Sequence, residues 1–181
     1  MTVPGTGFRR LATLVLAGIL LQPANGLAAA SYPHVVPGVE LVFPRDEGGH
    51  PDFRIEWWYV TGWLDDDGAD PVGFQVTFFR VRPGLAESNP SAFAPKQIVF
   101  GHAAIADPRH GKLRHAERSA RAGFDLAYAR EGRVDVKLDD WTMEQDGSVY
   151  RADVGGDGFR MQLDLEPTQP PLLQGDRKSV V

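Results

Sequence analysis

Residues 54–64 read Arg54-Ile55-Glu56-Trp57-Trp58-Tyr59-Val60-Thr61-Gly62-Trp63-Leu64, and this stretch decides the fold class. Three of the chain's four tryptophans lie in it, with one carboxylate lodged among them. Aromatic and β-branched side chains suit a pleated, half-buried surface, so the stretch predicts an extended strand. Alternation sends Ile55, Trp57, Tyr59 and Trp63 to one face and Glu56, Trp58, Val60 and Leu64 to the other. Neither face is polar, which predicts cover on both sides, as in a barrel or in a sandwich with something packed outside it. Glu56 is then a mid-strand carboxylate held against indole rings, an expensive placement.

Outward from this strand the pattern stays extended. Residues 31–53 are rich in Pro and Gly and read as an irregular lead-in. On the other side, Asp65-Asp66-Asp67-Gly68 is a turn signal before a strand at 72–82, so the two strands form a hairpin. In that second strand Val72, Phe74, Val76 and Phe78 share a face opposite Gln75, Thr77 and Phe79. A longer loop leads to a strand at 97–106, where Ile98, Phe100, His102 and Ala104 alternate with Val99, Gly101, Ala103 and Ile105. Residues 134–143 and 159–166 alternate cleanly between apolar and charged side chains, as half-solvated antiparallel strands do. Gln145-Asp146-Gly147-Ser148 turns the chain from 134–143 into 148–154. Only 114–122 offers a helical candidate, without caps. About seven short strands separated by turns predict an all-β, antiparallel barrel or sandwich.

Residues 1–30 stand apart. Arg9-Arg10, the apolar run Leu11 to Leu21 and Ala28-Ala29-Ala30 have the layout of a secretory signal peptide cleaved after Ala30, with the mature chain starting at Ser31. The chain has no cysteine, so neither a disulfide nor a lipid-modified cysteine is available. These features together predict a soluble periplasmic protein. A formal charge of −5 and the lack of a basic cluster interleaved with aromatics argue against nucleic acid as a partner. The serines include no G-x-S-x-G elbow, and no Gly-rich phosphate loop occurs. His50, His110 and His115 lie in or beside loops without metal-ligand spacing, so no metal is expected.

RIEWWYVTGWL is preceded by FPRDEGGHPDF (43–53) and followed by VGFQVTFFRVRPG (72–84), FAPKQIVFGHAAIADP (93–108), RAGFDLAYA (121–129), Asp140-Trp141 and LEPTQPPLLQG (165–175). In this order the segments resemble the hydroxyneurosporene synthase (CrtC)/AttH family, which is carotenoid 1,2-hydratase-like. The resemblance implies a protein of two lipocalin-like β domains, of which residues 31–175 correspond to the first. Residues 176–181 form an irregular tail, and the end of the chain reads as mid-protein sequence, a truncation point before a missing second lipocalin-like domain. The implied chemistry is cofactor-independent addition of water to a terminal carotenoid double bond. The implied alternative is binding of a lipophilic small molecule, isoprenoid- or lipid-like, beside components of an ABC-type transporter. Binding is ranked ahead of catalysis, and a carbohydrate-binding sandwich third, because the tryptophans are expected to pack on two faces of one strand.

Glu56 is the sharpest catalytic candidate. Desolvation between Trp58 and Val60 would raise its pKa and leave it an acid able to protonate an alkene, with aromatic faces stabilising the developing cation. The competing reading is a structural ion pair with Arg54, Arg80 or Arg82. Trp57, Trp58, Tyr59, Gln75, Thr77 and His102 are the candidate ligand-binding residues. Of these, Gln75 and Thr77 would be polar fingers in a cavity or part of a solvent face, and His102 a ligand-orienting or a hydrogen-bonded core histidine.

Overall fold

The computed structural model describes residues 30–65, 70–85 and 87–172. Residues 1–29 of the expected signal peptide, most of the Asp65–Gly68 turn and the 176–181 tail therefore lie outside the described residues. Two antiparallel sheets make up the fold. The first has the order β1 (Ile55–Leu64), β2 (Val72–Val81), β3 (Ile98–Ala106), β4 (Arg114–Arg121). The second has the order β5 (Ala127–Ala129), β6 (Asp135–Leu138), β7 (Trp141–Asp146), β8 (Val149–Gly156), β9 (Phe159–Leu165). Each is a simple meander. The expected sandwich forms, and no closed barrel is present among the described residues.

Three expectations need correction. The expected helix at 114–122 is instead β4, whose Ala116 and Ala120 pack on the core and whose Arg118 lies over the Trp141 ring, while Glu117 and Ser119 face outward. Helix-favouring Ala, Glu and Arg are overridden there by pairing with β3, a common outcome because propensity is a weak prior. Residues 134–143 are not one strand either. Asp139, at φ 60°, turns the chain, and Leu138 pairs with Trp141. Aspartate tolerates this left-handed conformation better than most side chains. Asp135, expected on a solvated face, is buried and pairs with Arg130 at 3.0 Å.

The core sits between the sheets. Phe74, Val76, Phe78, Val99 and Ala103 meet Val136, Leu138, Trp141, Val154 and Met161. Phe78 and Trp141 meet edge to face at 6.4 Å, and the buried Trp141 indole donates to Gly155 O at 2.9 Å. Gly101 lets the sheets approach: a Cβ on it would lie 3.2 Å from both Leu138 and Trp141. At its far end β8 touches β4, where a Cβ on Gly156 would lie 2.4 Å from Ala116. The start of β8, by contrast, lies opposite β1. The strand therefore crosses the first sheet from one edge to the other, and the layers diverge along β1.

A cleft beneath the aromatic strand and a platform above it

Where the layers diverge, the lead-in fills the gap. A 3-10 turn at Arg45–Glu47 places Glu47 between the sheets. The Trp58 indole donates to Glu47 O at 2.7 Å, and the Tyr150 hydroxyl donates to Glu47 Oε1 at 2.7 Å. Gly49 N–H donates to Arg130 O at 2.7 Å. Gly48 is packed so tightly that a Cβ would fall 2.4 Å from Gly132 N, so only glycine fits without displacing backbone. A loop satisfied by both layers in this way has its backbone polar groups accounted for, as a buried segment must.

Arg80 holds the other half of this plug. Its side chain is wholly buried, and every nitrogen is engaged. Nε donates to Glu56 Oε1 at 2.7 Å, NH1 to Pro51 O at 3.3 Å, and NH2 to His50 O and Phe53 O at 2.8 and 2.9 Å. The Glu56 carboxylate also accepts the His50 backbone N–H, 2.9 and 2.8 Å from its two oxygens, and lies 3.2 Å from His50 Nδ1. The picture of a carboxyl isolated between Trp58 and Val60 is thus corrected. Glu56 is directly cross-strand from Arg80, and the pair staples the lead-in to the sheet.

Between these elements lies a cleft of about 520 Å³. Trp58 and Val60 form one wall, and Met143, Ala152 and Leu165 the facing one. Glu47, His50, Glu56 and Tyr150 gather at the plugged end. Burial and the Glu47 hydrogen bond push the Tyr150 phenol up to about 12, so it remains a proton donor. Gln145 Nε2 in turn donates to the Tyr150 oxygen at 3.3 Å, while the second carboxylate oxygen of Glu47 is buried without a partner. Asp46, at the rim, has its carboxyl held down to about 2 by hydrogen bonds from Arg45 and from Val42 N–H.

Of the predicted ligand-binding residues, Trp57, Trp58 and Tyr59 border the cleft, whereas Gln75, Thr77 and His102 do not. Trp58 lines the cleft with its inward-facing side. Trp57 and Tyr59 alternate with it to the outer face of the first sheet, 49% and 63% exposed, followed by Trp63 at 72%. The tryptophans are therefore not all packed, as expected, and the cover predicted for this face is not present among the described residues. Gln75, Thr77 and His102 belong to the same outer platform. Gln75 donates to the Thr77 hydroxyl at 3.3 Å, and His102 sits edge-on to Phe79 at 5.7 Å. His102 is exposed rather than the core histidine expected, because its strand presents it opposite Glu117 on the solvent side. A shallow hollow of about 180 Å³ is bordered there by Gln75, His102, His115 and Glu117.

Sequence reading missed Glu47, His50 and Tyr150. Glu47 and His50 sit in a stretch without periodicity, and the partner of Glu47 is 103 residues away, so no local pattern reports the pair. Among the described residues no cluster of three or more His, Asp or Glu side chains is arranged to hold a metal ion.

The family model described as AttH-like matches residues 34–180. A crystal structure of a Nitrosomonas europaea protein provisionally designated AttH is similar to this chain at 51% identity and a TM-score of 0.67. The match covers 78% of this chain and 42% of that one, so the present chain spans less than half the length of its solved relative. No curated protein matches. By the extent of the family match and this level of identity, the chain belongs to the AttH-like family.

Proposed function

We propose that this domain binds a lipophilic molecule, isoprenoid- or lipid-like, in the cleft between β1 and β7–β9. The observation that carries the reading is the cleft itself. Its volume of about 520 Å³ falls within the range of about 300–1,000 Å³ usual for small-molecule sites. Its walls are Trp58, Val60, Met143, Ala152 and Leu165, with Glu47, His50, Glu56 and Tyr150 at the plugged end and Asp46 and Arg151 at the rim. A largely apolar cavity with a few convergent polar groups is the usual design of such sites.

Water addition to a carotenoid double bond gains no support from Glu56, whose oxygens are occupied by Arg80 and His50. Binding is accordingly placed ahead of hydration. The outer platform of Ile55, Trp57, Tyr59, Trp63, Phe79 and Phe100 favours cover by a second lipocalin-like domain over sugar binding, since it continues across three strands instead of forming an isolated row. Export to the periplasm and service to a transporter complete the proposal. The test is displacement of a neutral, polarity-sensitive dye such as Nile red by geranylgeraniol. Competition by the alcohol, lost in Val60→Trp, which fills the cleft, is the expected result. Unchanged dye and alcohol binding in a folded Val60→Trp variant would remove the cleft from the function.

A further inference from the structure

The plugged end of the cleft carries a directional chain of hydrogen bonds. Gln145 Nε2 donates to the Tyr150 oxygen, and the Tyr150 hydroxyl donates to Glu47 Oε1. Tyr150 keeps its proton across the physiological range, so the direction is fixed. Every step points toward Glu47, and the chain ends on its Oε2, buried and without a hydrogen-bond partner. A carboxylate accepts about four hydrogen bonds, and leaving one oxygen of a buried carboxylate unmatched is costly. Glu47 borders the cleft, and the last torsion of a glutamate is broad and soft, so Oε2 can reorient to meet a donor there.

The charges nearby leave this acceptor unanswered by protein. Arg80 is fully committed to Glu56 and three carbonyls, and Arg45 to Asp46. Arg151, at the rim, pairs with Asp146 and Asp164. His50 donates its backbone N–H to Glu56 and points Nδ1 at the same carboxylate. The pocket end therefore offers acceptors and a negative field to whatever enters it.

Resting on the cleft-binding reading, we infer that the ligand is an amphiphile that enters with a hydrogen-bond-donating end, a hydroxyl or an ammonium, received by Glu47 Oε2. Its apolar body lies between Trp58 and Val60 on one side and Met143, Ala152 and Leu165 on the other. Carboxylate-headed lipids are rejected, because their oxygens would face Glu47 with no cation between them. Such rejection by a like charge is how a site of this kind separates ligands with identical tails.

The full chain would be titrated with dodecanol, dodecylamine and dodecanoate against bound Nile red, with the tail held constant. The alcohol and the amine are expected to compete at least about tenfold more tightly than the carboxylate. The ranking should persist in about 1 M salt, where charges are screened beyond about 3 Å, because the discrimination is local. Glu47→Gln should collapse the difference between amine and carboxylate, and Tyr150→Phe, which leaves the glutamate in place, should retain it. Thermal melts confirm that both variants fold; if Glu47→Gln does not, the wild-type ranking in high salt decides. Dodecanoate equal to or tighter than the other two, a preference that vanishes in salt, or a preference intact in folded Glu47→Gln each overturns the head-group assignment while the cleft stands. Failure of all three probes to compete overturns the cleft reading and this inference with it.

Discussion

At the scale of single residues, the Glu56–Arg80 pair explains why a carboxylate tolerates the middle of an aromatic strand. Neither member is isolated: Arg80 answers one carboxylate and three carbonyls, and Glu56 also takes the His50 N–H. Removing one partner of a buried pair strands the other, at roughly 3–5 kcal/mol. Glu56→Gln keeps an acceptor for Arg80 Nε but removes the charge, so a loss of about 3 kcal/mol in urea unfolding is expected. A change under about 1 kcal/mol, the size of an ordinary surface substitution, would mean that the pair does not anchor the lead-in. Tyr150 gives a second measurable signature. Its folded pKa is raised above the ordinary tyrosine value to about 12, so the fold favours the neutral phenol. The associated stability is complete below the unfolded value near 10 and is lost as pH rises through about 12. Stability of the wild-type chain should fall between these pH values, and Tyr150→Phe should flatten that fall in denaturant melts taken at a series of pH.

Among the elements, β1 shows how far sequence alone reaches. Its extended character, its hairpin with β2 and the two sets of residues on its faces are all legible from alternation, and the register confirms the sets. Which set faces inward is not legible from hydrophobicity, since Trp57 and Tyr59 are as apolar as Trp58 and Val60. The discriminating signal is polar: Arg80 falls on the core side of β2 with Phe74, Val76 and Phe78, so its cross-strand neighbour Glu56 must be inside. The lead-in is the opposite case. Pro and Gly mark it correctly as irregular, yet its role as the plug depends on contacts with the β5–β6 connection and β8, far along the chain. Gly48 makes that role testable. A Cβ there meets the backbone of Glu131, Gly132 and Arg133 at 2.4–2.9 Å. Gly48→Ala should therefore cost about 1–3 kcal/mol, as overpacking does, and loosen the plugged end of the cleft. Unaltered stability in equilibrium unfolding would show that the plug yields freely.

Seen as a whole molecule, the domain has a packed interior between its sheets and an uncovered apolar face on the outside of the first. Ile55, Trp57, Tyr59 and Trp63 are all about half exposed or more and are continuous with Phe79 and Phe100, which stack at 4.6 Å. Apolar surface of this kind on a soluble domain marks a contact site. The chain by itself should self-associate in a concentration-dependent way in size-exclusion chromatography, and Trp57→Lys combined with Tyr59→Glu should return it to a monomer without lowering its melting temperature. A wild-type chain monomeric at all concentrations would contradict this. The plug has a consequence for folding order. Glu47 lies just before β1 and its hydroxyl donor lies 103 residues later in β8, so the seam is sealed by two segments far apart in the chain. As the chain emerges from its N-terminus, β1 to β4 can pair by local hairpins, but the second wall of the lead-in is complete only when both the β5–β6 connection and β8 exist. Long-range closures of this sort come late and slowly. Interactions formed after the rate-limiting step act on unfolding, so Gly48→Ala should accelerate unfolding while leaving the refolding rate of the sheets almost unchanged.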